Sequence, residues 1–182
     1  STTSALIGPM NCRSAAGHRA SRKACAAGSQ ECVNELLVHG ADATIANLDR
    51  RTPLHAAAGG GREKILALLI AHGARFNAKD VLGVTPLHLA ARAGREDLVK
   101  TLLDYGAYVD GKDIYGQTAL FEAARAGDVP TATLLLNSGA DVNARDVDRN
   151  TPLHRAAANG RVTLVPLFLV CGADSKAVAK GG

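Results

Sequence analysis

The stretch Thr85–Gly94, TPLHLAARAG, decides the fold because close copies of it recur every 33 residues along the chain. The letters TPLH return at 52–55 and 151–154, and TALF stands at 118–121. A Gly-Ala pair repeats with the same period at 40–41, 73–74, 106–107, 139–140 and 172–173. A further glycine repeats as Gly28, Gly61, Gly94, Gly127 and Gly160. A fixed period of this length indicates a stack of similar units, each of which buries its apolar face against its neighbours.

Each recurring position has a physical role in a pair of helices. Thr is a good helix N-cap, and a Pro directly after it has the backbone angle of a first helical turn. The two glycine rows predict helix ends, since glycine adopts a left-handed conformation at little cost. Paired alanines, such as Ala90 and Ala91, predict close helix packing. Five residues before each Thr stands a side chain that we expect to accept hydrogen bonds in a turn: Asn47, Asp80, Asp113 and Asp146.

At these residues the sequence resembles the ankyrin-repeat family, whose T-P-L-H-x-A signature and period it carries. The resemblance covers residues 19–182 and implies an all-α solenoid of stacked helix-turn-helix units, joined by β-turn or hairpin fingers. We predict a flexible N-terminal arm over residues 1–18. The predicted units are 19–51, 52–84, 85–117, 118–150 and 151–182.

The composition agrees with a close-packed helical repeat. The chain has 34 Ala, three Phe, three Tyr and no Trp, and a core of small side chains requires helices to approach closely. The formal net charge is +4, with the basic residues scattered, which favours a protein partner over nucleic acid. No run of 18 apolar residues occurs, so we predict no transmembrane segment.

The first residues of the chain are compatible with more than one cellular compartment. Residues 1–30 lack Asp and Glu but carry four basic residues, as organelle transit peptides do. The alternatives are a disordered arm or a non-native leader ahead of Met10. We expect an intracellular, reducing compartment, which is the cytoplasm or nucleus, or an organelle if the arm is a processed targeting remnant.

The residue patterns of catalysis and metal binding do not occur. His55, His88 and His154 occupy the fixed T-P-L-H position, and no serine lies in a G-x-S-x-G motif. We therefore predict that the protein is not an enzyme and has no catalytic residue, no metal and no cofactor. The cysteines show no C-x-x-C spacing, and we expect them to be buried reduced thiols: Cys12, Cys25, Cys32 and Cys171.

The resemblance implies that a protein partner binds the concave surface formed by the finger tips and first helices. An unusual apolar group marks the predicted tips, which favours an interface; alternatively, these side chains only pack against one another along the fingers. Arginines beside Tyr115 suit an acidic or aromatic-bearing peptide, unless they are simply solvated. The predicted partner-binding residues are Leu48, Arg51, Val81, Leu82, Val84, Leu89, Arg92, Ile114, Tyr115, Glu122, Arg125 and Arg155.

The last predicted helix, at 162–170, is apolar nearly all round, whereas terminal repeats normally have a polar outer face. We predict that further chain or a neighbouring protein covers its apolar face. The alternative is an imperfect cap shielded only by residues 175–182. The residues of this C-terminal apolar face are Val162, Val165, Phe168 and Val170.

These features predict a non-catalytic scaffold or adaptor for protein–protein interaction. One alternative is a structural subunit of a large assembly, organellar or ribonucleoprotein, which the basic arm and the apolar last helix favour. Another is an inhibitor or substrate adaptor that acts on an enzyme through the concave surface.

Overall fold

A computed structural model describes residues 23–180, and within them every regular element is an α-helix and no strand occurs. The predicted arm over residues 1–18 lies outside the described residues. Residues 23–27 are helical and precede the first complete helix. The remaining helices are α1 (Gln30–Val38), α2 (Pro53–Gly59), α3 (Glu63–Ala71), α4 (Pro86–Arg92), α5 (Glu96–Asp104), α6 (Ala119–Ala126), α7 (Val129–Asn137), α8 (Pro152–Ala158) and α9 (Leu164–Val170).

The helices form one stack of antiparallel pairs. In each unit a short first helix begins after the recurring Thr, and a second helix follows within a few residues. The first helices α2, α4, α6 and α8 pack on one another in chain order, and the second helices α1, α3, α5, α7 and α9 form a parallel row behind them. The all-α solenoid that the resemblance implies is confirmed.

The core consists of small and branched side chains, as the alanine rows predict. Ala57, Ala90, Ala123 and Ala156 are buried, and so are Ala58, Ala91 and Ala124 of the next row, in which Cys25 takes the equivalent position in the first unit. Cys32 in α1 and Cys171, which directly follows α9, are exposed, so the expectation of buried thiols is wrong for these two residues. Cys12 lies outside the described residues. Ala157 is exposed too, because no further unit packs on α8 within the described residues.

In each of two units a buried histidine joins the first helix to the base of the finger that leads into the next unit. The Nδ1 atom of His55 accepts a hydrogen bond from the backbone N–H of Thr52, the N-cap of the same helix. Its Nε2 atom therefore carries the proton and donates it to the carbonyl of Val84, 3.1 Å away in the following finger. His88 repeats both bonds with Thr85 and with the carbonyl of Gln117.

The fourth unit lacks this bridge. Phe121 occupies the histidine position and is buried, so it cannot hydrogen-bond the cap or the next finger. The Oγ1 atom of Thr118, the N-cap of α6, is buried and has no hydrogen-bond partner. At this one position the fourth unit has apolar packing where the two preceding units have a polar bridge.

The loops between units are fingers built on an acidic side chain. In the finger before α4, Oδ1 of Asp80 accepts hydrogen bonds from the backbone N–H groups of Leu82 and Val84. Asp113 and Asp146 do the same in the next two fingers, which confirms the predicted role of this row. The tight turn requires a positive φ, which Gly83 supplies at +72°.

We predict that Gly83→Ala destabilises the stack more than Gly73→Ala does. Both glycines have positive φ, so each substitution strains the backbone by about 1 kcal/mol. At Gly83 the new Cβ also stands 3.0 Å from the backbone nitrogen of Ile114, whereas at Gly73 it meets nothing within 4 Å. Overpacking at Gly83 lowers the free energy of unfolding by about a further 1–3 kcal/mol. Urea unfolding measures the difference, and equal losses would contradict the packing argument.

We also predict that the histidine bridges make stability depend on pH. Burial lowers the pKa of His55 and His88 below the ordinary value of 6.5. The unfolded chain therefore binds protons at a higher pH than the native chain does, and the free energy of unfolding falls as the pH drops below 6.5.

The variant His88→Phe copies the arrangement at Phe121. Loss of the hydrogen bonds to Thr85 and Gln117 lowers the free energy of unfolding by about 1–2 kcal/mol at pH 7.5. Because one titrating group is removed, the variant loses less stability than the wild type between pH 7.5 and 5.5. Urea unfolding at both values tests this, and parallel losses would show that the bridge does not titrate.

Candidate functional site

The finger tips form a row of exposed apolar side chains. We name this row the finger ridge; all its members are large, apolar and at least two-fifths exposed, and they are Leu48, Val81, Leu82, Ile114, Tyr115 and Val147. Turn side chains hold the backbone of each finger: Asp80, Asp113 and Asp146 in three of them, and Asn47 in the finger of Leu48.

Single backbone hydrogen bonds align neighbouring fingers. The N–H of Val81 donates to the carbonyl of Asp49, and the N–H of Ile114 donates to that of Leu82, both at 3.0 Å. The N–H of Val147 continues the series to Tyr115 at 2.9 Å. The ridge is therefore continuous from one unit to the next.

Val84 does not belong to the exposed surface. It is only 5% exposed, although the sequence placed it in the apolar tip group. Its N–H donates to Asp80, and its carbonyl accepts from His55, so the residue closes the base of the finger over the preceding helix. The prediction of Val84 as a contact for a partner is thus wrong.

The first helices place three predicted residues in one charged cluster, which we name the arginine cluster: Arg92, Glu122 and Arg125. Nε and Nη2 of Arg92 donate to the two carboxylate oxygens of Glu122 at 3.1 and 2.7 Å. Nη2 of Arg125 donates to the same carboxylate at 2.6 Å. The Glu122 side chain is 6% exposed, whereas those of Arg92 and Arg125 are 44% and 48% exposed.

The burial of Glu122 corrects the sequence-based prediction, which made it a direct contact. Burial alone would raise the pKa of its carboxyl, but the hydrogen bonds and charges of Arg92 and Arg125 outweigh this effect and lower the pKa. Glu122 raises the pKa of Arg92 in turn. The cluster is therefore ionised at neutral pH, with the acid beneath and the two guanidinium groups at the surface.

Two further arginines are held by buried acids. Nε of Arg51 donates to the carboxylate of Asp80 at 3.1 Å, and Arg155 lies 3.6 Å from that of Asp146. Burial raises the pKa of Asp80, but the hydrogen bonds from Arg51, Val84 and Leu82 lower it by more than burial raises it. The pKa of Asp80 is therefore below its ordinary value. These arginine–acid pairs were not predicted from the sequence. Opposite charges 29 or 30 residues apart, as in Arg51 and Asp80, are the signal that could have found two of these pairs.

A depression of about 400 Å³ lies between the first fingers and the first helices. Asn47 and Arg51 of a finger border it on one side, and Ala56 and Leu89 of the first helices border it on the other. The first finger and the first helices thus flank a concave surface there. We use the name groove for this depression together with its continuation between the finger ridge and the first helices α4, α6 and α8, which carry Arg92, Arg125 and Arg155.

The C-terminal helix differs from its prediction in one important residue. Phe168 is fully buried in the core, so it is not available to a neighbour. Val165 is half-buried, whereas Val162 and Val170 are exposed. Pro166 is the third residue of α9, where its missing N–H breaks no bond of the helix.

None of the helices in residues 23–180 is long and apolar enough to cross a membrane. Over the same residues, no three His, Cys, Asp or Glu side chains come together as a metal site. A protein-family model described as ankyrin repeats (3 copies) matches residues 18–113 and 106–179. No curated protein matches the chain.

We predict that Glu122→Gln lowers the free energy of unfolding at pH 7 by about 1–3 kcal/mol, because hydrogen bonds between two guanidinium groups and a carboxylate are lost. Asp104→Asn, which removes a negative charge at an exposed helix end, should change it by less than about 0.5 kcal/mol. Since the native pKa of Glu122 is lowered, its contribution is present above pH 4.5 and is lost as the pH falls through the native pKa. Urea unfolding measures the free energy of unfolding of both variants. Equal losses in the two variants would refute the stabilising role of the cluster.

Proposed function

Because the chain belongs to the ankyrin-repeat family, we propose that it is a non-catalytic scaffold or adaptor that binds a protein partner in the groove. Ankyrin repeats are generally protein–protein interaction modules. The groove brings exposed apolar side chains, an aromatic ring and arginines together, and aromatic residues and arginine are enriched in protein interfaces.

The finger ridge is the observation that carries this proposal. Its side chains are exposed although they are apolar, and they lie side by side because the fingers are hydrogen-bonded to one another. A contiguous apolar row on a protein surface is a common mark of an interface. The competing explanation, in which the tips only pack on each other, accounts poorly for exposures of about half at Val81, Ile114 and Tyr115.

One observation supports a different role, as a structural subunit of a larger assembly. Val162, Leu169 and Val170 are exposed at the C-terminal end of the stack, away from the groove. A neighbour that covered this end would bury them. The groove and the C-terminal end therefore offer two surfaces that one experiment can compare.

We predict that the double variant Leu82→Ala/Tyr115→Ala binds its partner at least tenfold more weakly than the wild type, since truncating anchor residues costs more than about 1 kcal/mol each. The matched control is Val162→Ala/Val170→Ala, which truncates exposed apolar residues outside the groove. Partners are captured from extracts on each immobilised variant, identified by mass spectrometry, and then titrated as purified proteins.

All four substituted side chains are exposed, so the thermal unfolding midpoints should stay within a few degrees of the wild type. If the control variant loses the partner and the groove variant keeps it, the structural-subunit role is correct and the proposed groove is wrong. If both variants bind as tightly as the wild type, neither surface is the interface.

A further inference from the structure

We infer that the groove recognises a protein segment whose carboxylate side chains bind Arg92 and Arg125 while its neighbouring apolar side chains contact Ile114 and Tyr115. This inference rests on the proposed function and specifies the chemistry of the partner. It follows from the way in which Glu122 holds the two arginines.

The arginine cluster has spare hydrogen-bond donors at the surface. Glu122 receives two bonds from Arg92 and one from Arg125, and a guanidinium group has more N–H donors than these bonds use. Both arginine side chains are nearly half exposed, whereas Glu122 is buried beneath them. A carboxylate arriving from solvent therefore meets cations and donors, and not the acid that holds them.

Glu122 also fixes the arginines before any partner arrives. A free arginine side chain loses about 2 kcal/mol of rotamer entropy when it is immobilised. The bidentate contact of Arg92 and the short contact of Arg125 have already restricted both side chains in the folded protein. A preorganised pair of guanidinium groups binds a carboxylate with less entropic loss than two mobile ones.

The charges of the groove are arranged in layers. Beneath its four arginines lie the acids Asp80, Glu122 and Asp146, all of which are buried. Asp113 is half-buried and raises the pKa of Arg92, but its Oδ1 is occupied by the N–H groups of Tyr115 and Gln117. The floor is thus close to neutral in total and cationic where solvent touches it.

Apolar and acidic groups must come from the same segment. Ile114 and Tyr115 are the tips of the finger that leads into α6, and α6 carries Glu122 and Arg125. In an extended segment successive side chains point to opposite sides, so an acid directed at the arginines can alternate with an apolar residue directed at the ridge. A nucleic acid fits less well, because the exposed acids Asp49 and Asp148 stand in the same row of tips.

The test uses the full chain and a displayed library of random twelve-residue peptides. The tightest peptide selected on the wild type is synthesised in two forms, one unchanged and one with every Asp and Glu replaced by Asn and Gln. Fluorescence anisotropy then measures the affinity of both forms for the wild type and for three variants, and a thymidine dodecanucleotide serves as a polyanion competitor.

The first variant, Arg92→Gln/Glu122→Gln/Arg125→Gln, removes the cluster without leaving a buried charge unpaired. The second, Lys100→Gln, lies on the second helix α5 and changes the net charge by the same amount. The third, Ile114→Ser, alters the finger ridge alone. Thermal unfolding of each variant verifies the fold.

We expect an acidic peptide that binds the wild type at least tenfold more tightly than its amide form. The triple variant should bind this peptide at least tenfold more weakly than the wild type does, and Lys100→Gln less than threefold more weakly. The oligonucleotide should not compete with the peptide. A peptide that depends on Ile114 but not on its own acids or on the cluster would overturn this inference and leave the proposed groove intact. Binding that is insensitive to Ile114 as well, or the failure to select any peptide, would refute both this inference and the proposed groove. If the oligonucleotide displaced the peptide, the partner would be a nucleic acid and not a protein segment.

Discussion

At two junctions of the stack, one buried imidazole accepts a hydrogen bond from the threonine cap of its own helix and donates another to a carbonyl of the following finger. This bridge fixes three things together: the start of the first helix, the neutral tautomer of the histidine and the position of the next finger. A repeat unit has too little apolar surface to fold alone, so its stability depends on such contacts with its neighbours. The two bridges hold the bases of the fingers that end at Val84 and Gln117.

The groove illustrates how buried acids shape a binding surface that they do not themselves form. Asp80 uses its carboxylate both to close a finger turn and to hold Arg51, and Glu122 orients two arginines from below. In each case burial removes the acid from water, and hydrogen bonds from protein groups compensate for the lost hydration. The arginines are thereby presented to solvent in defined orientations beside an apolar rim.

The sequence predicts the parts of this fold that depend on neighbouring residues along the chain. Helix starts, helix ends and the turn acids follow from residues within five positions of one another, and all three predictions are confirmed for residues such as Thr85, Gly94 and Asp80. Exposure is less predictable, because it depends on contacts between units. Val84 and Glu122 are buried and are hydrogen-bonded to residues 29 and 30 positions earlier in the chain, His55 and Arg92. Phe168 is buried in the core although its helix is apolar on most sides.

Phe121 makes one junction of the stack different from the two before it. Where α2 and α4 have a histidine that bonds to the following finger, α6 has a buried aromatic ring, and Thr118 Oγ1 is left without a partner. Other bonds join the fourth and fifth units: Nε of Arg161 donates to the carbonyl of Arg125, and Arg155 lies 3.6 Å from the carboxylate of Asp146. In a linear array each junction sets how cooperatively its two sides unfold. The fifth unit, with α8 and α9, is therefore attached to the fourth through the side chains of Arg155, Arg161 and Asn143, and not through a histidine of the fourth unit.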